Sequence, residues 1–120
     1  MLILPIVNDG DPANAYIGAS LTEALRTRLL EIYFFIHPDN KAIIATQTDN
    51  LIQDEDFFTK TVALQMGVWL RQDLVLVGKY NVRDSRLKYR FVLYEIQHEK
   101  PILSLEGETP AHRKNVRCLL

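Results

Sequence analysis

Leu74-Val75-Leu76-Val77-Gly78-Lys79-Tyr80-Asn81-Val82, then Arg83-Asp84-Ser85, then Arg86-Leu87-Lys88-Tyr89-Arg90-Phe91-Val92-Leu93-Tyr94-Glu95-Ile96-Gln97 is the stretch that decides the fold. Its first part is an apolar, β-branched run that reads as a strand, and Arg83-Asp84-Ser85 returns the chain. Leu87–Gln97 is the clearest alternation in the sequence. Leu87, Tyr89, Phe91 and Leu93 share one face, and Arg86, Lys88 and Arg90 share the other. His98-Glu99-Lys100-Pro101 is a short hairpin connection, and Ile102–Thr109 is the last strand. The final third is therefore an antiparallel meander.

Working back from it, Leu2-Ile3-Leu4-Pro5-Ile6-Val7 is an apolar run that suits a strand covered on both faces. Pro5 has no N–H for a ladder, which places it at an edge or a bulge. Asn8-Asp9-Gly10-Asp11-Pro12 is dense turn chemistry where the chain leaves the sheet. Ser20-Leu21-Thr22-Glu23 has capping-box spacing and predicts a helix start, whose loss should cost about 1 kcal/mol. Leu21, Leu25, Leu29 and Ile32, with Ala24, form its apolar stripe, with Arg26, Thr27 and Glu31 opposite.

Tyr33–Ile36 is aromatic and β-favouring, stopped by His37-Pro38-Asp39-Asn40. Ile43-Ile44-Ala45-Thr46 reads as a further short strand and Gln47 to Gln53 as a polar loop. A second helix opens near Asp54, with Glu55 and Asp56 at the positive end of its dipole. Phe57, Phe58, Val62, Leu64, Val68 and Trp69 give it a broad apolar surface, and Gly67 either ends it or weakens its last turn. The expected order is β-α-β-α-β-β-β: an α/β (α+β) fold with two helices packed on a mixed sheet of about five strands.

The chain has 120 residues, 48% hydrophobic and 24% charged, with 14 basic and 15 acidic side chains and a formal charge of −1. That is the composition of one ordinary globular domain with a core of its own, and it excludes disorder, collagen, coiled coil and a disulfide scaffold. Near-neutrality removes the global electrostatic case for a nucleic-acid or anionic-membrane binder. No apolar run approaches the roughly 18 residues of a membrane span. Cys118, the only cysteine, has no intramolecular partner and lacks the spacing of a prenylation box.

Candidate chemistry is sparse. Asp9-Gly10-Asp11 after a strand invites comparison with aspartyl-phosphate enzymes, but Asn8 intervenes and Pro12-Ala13 replaces the expected turn. As a calcium loop it has Asn14 where glycine is needed and Ser20 where a glutamate is needed. His37, His98, His112 and Cys118 have no paired metal-ligand spacing, and His37 and His98 lie beside turns where solvated histidines are common. Gly18-Ala19-Ser20-Leu21-Thr22 lacks the last glycine of a nucleophile elbow, and there is no phosphate-binding glycine loop. The reading assigns no catalytic residue, no cofactor and no metal.

Arg86, Lys88 and Arg90, with Lys79 and Arg83 nearby and Tyr80, Tyr89, Phe91 and Tyr94 interleaved, could be an RNA surface. Alternation turns Tyr89 and Phe91 away from the basic face. A four-residue hairpin sets Glu106 and Glu108 opposite Lys88 and Arg90, which explains the stripe without a ligand. The basic tail His112–Arg117 reads as a solvated terminus.

Leu4-Pro5-Ile6-Val7-Asn8 with its Asp/Gly/Pro turn, Tyr16-Ile17-Gly18, Leu21-Thr22-Glu23-Ala24-Leu25 and Leu29 resemble the opening of TolB amino-terminal-like domains. Ala63-Leu64-Gln65-Met66-Gly67-Val68 and Asp73-Leu74-Val75-Leu76-Val77-Gly78-Lys79-Tyr80 resemble their later half. Val68-Trp69-Leu70-Arg71-Gln72 departs from the pattern as an insertion, which puts Gly67 inside the helix; Asn40–Gln53 is long and polar for the family. The resemblance covers residues 1–110 as one domain, leaving 111–120 as a basic tail or the start of a further element. It is shared with curli-secretion and penicillin-binding-protein-activator lipoproteins.

The resemblance implies a non-catalytic interaction domain of the bacterial cell envelope, in the periplasm. Its partner would be another envelope protein or its own oligomer, with no nucleic acid, and a leader or lipid anchor would belong to a removed precursor. A partner would dock on a sheet edge or a surface loop, and the candidate contact residues are Asn8, Asp9, Asp11, Asn14, Arg86, Lys88 and Arg90. The alternatives are a small-ligand or nucleotide-binding enzyme domain using the Asn8–Asn14 loop, or RNA binding through Lys79–Arg90.

Overall fold

The computed structural model describes residues 1–33 and 37–110. At the amino terminus, β1 (Leu2–Ile3) and β2 (Val7–Asn8) both run parallel to β3 (Leu74–Arg83). Leu2 pairs with Val75 and Val7 with Lys79, so one extended segment lies along β3 and is broken in the middle. Pro5, within that break, is the residue that cannot donate to a ladder. β3 then pairs antiparallel with β4 (Arg86–Glu95), and β4 with β5 (Lys100–Pro110). The sheet is mixed, five-stranded and open, in the order β1-β3-β4-β5 with β2 farther along β3.

The turn joining β3 to β4 is shorter than the three residues read from the sequence. Arg83 pairs with Arg86, and only Asp84 and Ser85 lie outside the ladder, at φ 53° and 58°. Two left-handed residues in succession give the hairpin turn whose twist matches its strands. The β4–β5 ladder sets Lys88 opposite Glu108 and Arg90 opposite Glu106, as the hairpin reading expects. An irregularity between Leu93 and Tyr94 shifts the register near the start of β5.

Three helices pack on this sheet, one more than the sequence reading gave. α1 (Ala15–Tyr33) begins five residues before Ser20, led in by a 3-10 turn at Pro12–Asn14 that Asp11 caps through the Ala13 N–H. Ser20 is therefore an exposed residue in the second turn, and the Ser20–Glu23 spacing is not a cap. The stripe holds in part: Leu21 and Leu25 are buried, Leu29 half-buried and Ile32 exposed. Tyr33 ends the helix, and the rest of the expected strand, residues 34–36, lies outside the described residues.

The expected strand at Ile43–Thr46 belongs instead to α2 (Asn40–Asp49). Asp39 accepts a hydrogen bond from the Lys41 N–H at 3.1 Å and starts it. Ile43 goes fully into the core while Ile44 stays exposed, and that burial outweighs the β propensity of the Ile-Ile-Ala-Thr run. Gln47–Asp49, expected as loop, is its last turn.

The acidic start at Asp54 is a 3-10 helix, Asp54–Phe58, and α3 (Lys60–Trp69) follows. Gly67 lies inside α3, and the departure at Val68–Gln72 is its last turn and cap. Gln72 N–H donates to Gly67 C=O and Arg71 N–H to Val68 C=O, closing the helix with Arg71 at φ 56°. Of the apolar surface expected here, Phe57 is buried, Phe58, Val62 and Leu64 are half-buried, and Val68 and Trp69 are exposed; Ala63 and Met66 are buried beside them.

The core lies on both faces of the sheet. α1 covers one face, packing Ile17, Leu21 and Leu25 against Ile3, Leu76, Tyr80 and Leu87. α2, the 3-10 helix and α3 cover the other, with Ile43, Phe57 and Met66 against Leu2, Leu4, Val75, Val77, Val92 and Tyr94. Neither cover reaches the far end of the meander, and that is where the exposed surface of interest lies.

Candidate functional site

The first edge of the sheet is closed by side chains. Ile3 donates its N–H to His37 Nε2 at 3.0 Å, and its carbonyl accepts from Arg26 Nη2 at 2.8 Å and Nε at 3.2 Å. Arg26 is anchored in turn on Asn40 Oδ1 at 2.9 Å. Ile6 N–H donates to Thr22 Oγ1 at 2.9 Å, and that buried hydroxyl donates to Gly18 C=O at 2.7 Å. Backbone groups that leave the ladder beside Pro5 are thus satisfied from α1 and from the segment before α2.

His37 is half-buried here, not solvated as its turn position suggests. Burial pushes its imidazole below the usual histidine range, and the Arg26 guanidinium lowers it further, against the opposing pull of Pro38 and Ile3.

The Asn8–Asn14 loop spends most of its polar groups on itself. Asn8 accepts from Gly10 N–H at 3.0 Å and donates to Asp11 C=O at 2.8 Å; Asp11 caps Ala13. Tyr80, read in the sequence as part of a surface aromatic set, is fully buried. Its hydroxyl accepts from Gly18 N–H at 2.9 Å and donates to Asn14 C=O at 2.7 Å. A Cβ at Gly18 would stand 3.0 Å from the Ile6 carbonyl and 3.1 Å from that hydroxyl, tighter than an ordinary contact. Burial holds the Tyr80 phenol above its usual range.

The Asp9 carboxylate reaches the charged row of the sheet, 3.8 Å from Lys79 Nζ. It joins Lys79, Lys88, Arg90, Glu106 and Glu108 around an open groove of about 490 Å³ on the α2–α3 face of the sheet, beyond Phe58. Arg90 pairs with Glu106 at 3.3 Å and Arg86 with Glu108. Lys79 and Arg90 also lie over the Phe58 ring, 5.0 and 5.8 Å from its centre. Of the seven candidate contact residues, the structure brings Asp9, Lys88 and Arg90 to one groove with Arg86 on the same strand. Asn8, Asp11 and Asn14 are held apart from them in loop bonds.

The surface that the sequence reading missed lies on the opposite face. Between α1 and the outer strands runs an apolar groove of about 630 Å³, walled by Leu29, Ile32, Phe91, Leu93, Leu103 and Leu105 and rimmed by Arg28 and Asp73. Leu103 is 60% and Leu105 53% exposed, and both stand on β5 beside Leu93 and Phe91. At Gly107 the Tyr89 ring folds over the strand, occupying the place of a side chain. The signal was Leu103 and Leu105 at alternate positions in the last strand.

β5 is also the second edge of the sheet. Among the described residues no side chain hydrogen-bonds to its backbone, in contrast to β1. No helix among them is long and apolar enough to cross a membrane.

No protein-family model and no curated protein sequence matches the chain. Solved structures do. The C-terminal domain of LpoB from Salmonella enterica matches with a TM-score of 0.70 and 18% identity over 91% of this chain and 80% of that one. The chain has the LpoB C-terminal-domain fold. Lipoprotein GNA1162 from Neisseria meningitidis gives a TM-score of 0.75 at 13% identity, covering 95% and 81%. The PelC dodecamer from Paraburkholderia phytofirmans gives 0.57 at 14%, covering 99% and 79%. The LpoB-like fold agrees with the envelope-lipoprotein resemblance read from Leu4–Leu29 and Ala63–Tyr80.

Proposed function

We propose that residues 1–110 form a non-catalytic protein–protein interaction domain of the bacterial cell envelope, facing the periplasm, that docks a partner on the β5 edge. Residues 111–120, locally basic in sequence, are a tail or the start of a further element. The observation that carries the reading is the unequal treatment of the two sheet edges. Ile3, on β1, has both its N–H and its carbonyl bonded by His37 and Arg26. β5, eleven residues long, has an edge unpaired among the described residues and two exposed leucines beside an apolar groove. A long open edge is a ready template for a further strand. The LpoB-like fold and the likeness to lipoprotein GNA1162 support the envelope setting. The groove that holds Asp9, Lys88 and Arg90 reaches the same edge through Glu106 and Glu108, and contributes to the docking surface.

Proline substitution tests this reading. Successive N–H groups of a strand point to opposite sides, so one of Ser104→Pro and Leu105→Pro removes only an outward donor. That variant is expected to keep the wild-type circular dichroism and unfolding midpoint while losing its partner in a cross-linked envelope pull-down. A partner retained by both variants removes the edge from consideration.

A further inference from the structure

The β5 edge presents two different chemistries on its two sides, and from them we infer that the docked partner is an extended segment alternating aliphatic and basic side chains. The inference rests on the edge-docking reading and adds the chemical identity of the occupant.

A strand added beside β5 places its own side chains alternately on the two faces. On the α1 face it meets Leu103 and Leu105, backed by Leu93 and Phe91 and by Leu29 and Ile32 across the groove. Only apolar side chains are compatible with covering that row, because a charged one there would lose water without a partner. On the other face it meets Ser104, Glu106 and Glu108. These glutamates form an acidic row outside a basic one: Arg90 contacts Glu106, and Arg86 contacts Glu108, each through Oε1. The Glu106 side chain remains 70% exposed. A carboxylate has two oxygens and can accept from both sides. The charge ladder running outward across the meander is basic then acidic, and its continuation is basic; a second acidic strand would set like charges directly opposite.

The opposite polarity of the two rows separates this occupant from others. A second copy added through its own β5 would set acidic rows against each other over Glu106 and Glu108. A purely aliphatic chain would leave the glutamates unmatched.

The test uses the full chain and acetylated, amidated peptides of about eight residues alternating leucine with lysine, leucine with glutamate, or serine with lysine. Binding is followed by amide shifts along Lys100–Pro110 and by calorimetry. The leucine–lysine peptide is expected to move those amides and to bind about tenfold or more tightly than either control. Raising the salt should narrow the gap to the leucine–glutamate peptide. Glu106→Gln, which keeps the shape, is expected to reduce the lysine preference, and Leu105→Ser to weaken both leucine peptides together.

Equal binding of the leucine–lysine and leucine–glutamate peptides with β5 amides shifted overturns the basic assignment and leaves edge docking standing. Absence of β5 shifts with every peptide overturns both. A chain that sediments as a dimer with its β5 amides protected makes the occupant a second copy and overturns the inference as well.

Discussion

Tyr80 links the meander to the start of α1 with one atom. Its buried hydroxyl bonds both the Gly18 N–H and the Asn14 carbonyl. Tyr80→Phe leaves the ring in place and strands both partners, which costs about 1–3 kcal/mol. The expected result is a lower thermal midpoint with unchanged far-ultraviolet circular dichroism. His37 makes a comparable link at β1. One neutral tautomer suits its site: Nδ1–H donates to the Pro38 carbonyl at 2.8 Å while Nε2 accepts from Ile3 N–H. The folded pKa lies below the unfolded one, so the unfolded chain binds more protons in the acidic range. Stability should therefore be full above about pH 6.5 and fall as the pH drops below it. Urea midpoints measured from about pH 7.5 to 5 should show that decline, and His37→Gln should flatten it. Neither role was legible residue by residue. A histidine before Pro38 reads as exposed, and a tyrosine beside lysine reads as surface, until the fold brings Ile3 and Gly18 to them.

At the scale of elements, legibility followed the kind of signal. β3, β4 and β5 were readable because period-two alternation is a strand signature, whereas the register that pairs Glu106 and Glu108 with the basic row is set by a turn between Glu95 and Lys100, earlier than the His98–Pro101 connection read from the sequence, and by the shift between Leu93 and Tyr94. α2 was not, because Ile43-Ile44-Ala45-Thr46 is too short and too β-branched to show a helical period. Its ends explain the rest. Ile52 N–H donates to Gln47 C=O and Leu51 N–H to Thr48 C=O, with Leu51 at φ 55°. α3 closes the same way at Arg71. Both helices thus end on the motif that favours glycine without having one, so the usual stop signal is missing from the sequence. Leu51 is 86% exposed and loses little by truncation. Leu51→Gly should relieve the left-handed strain, offset in part by glycine's unfolded-state entropy, for a net gain of up to about 1 kcal/mol. A higher urea midpoint would bear this out; a lower one would show that the exposed side chain packs.

For the whole molecule, the class was legible and the surface only in part. Composition predicted a chain able to form its own core, and the mixed sheet with its terminal meander emerged from three strand patterns and a broken first strand. The charged groove was half visible, since Lys88 and Arg90 could be placed on one face while Asp9 joins them through β2, a pairing of distant sequence. The apolar groove was not visible, because whether Leu103 and Leu105 are covered depends on how far α1 extends across the sheet. The broken strand at Pro5 has one more result. It leaves only dipeptide ladders on the first side of the sheet, with Ile3 and Ile6 bonded from α1 and the α2 lead-in, so among the described residues the fold has a valence of one for a long added strand. Any strand received at β5 meets a sheet that cannot pass the extension on. The fold terminates β growth, which lets an open edge persist in solution without seeding a fibre.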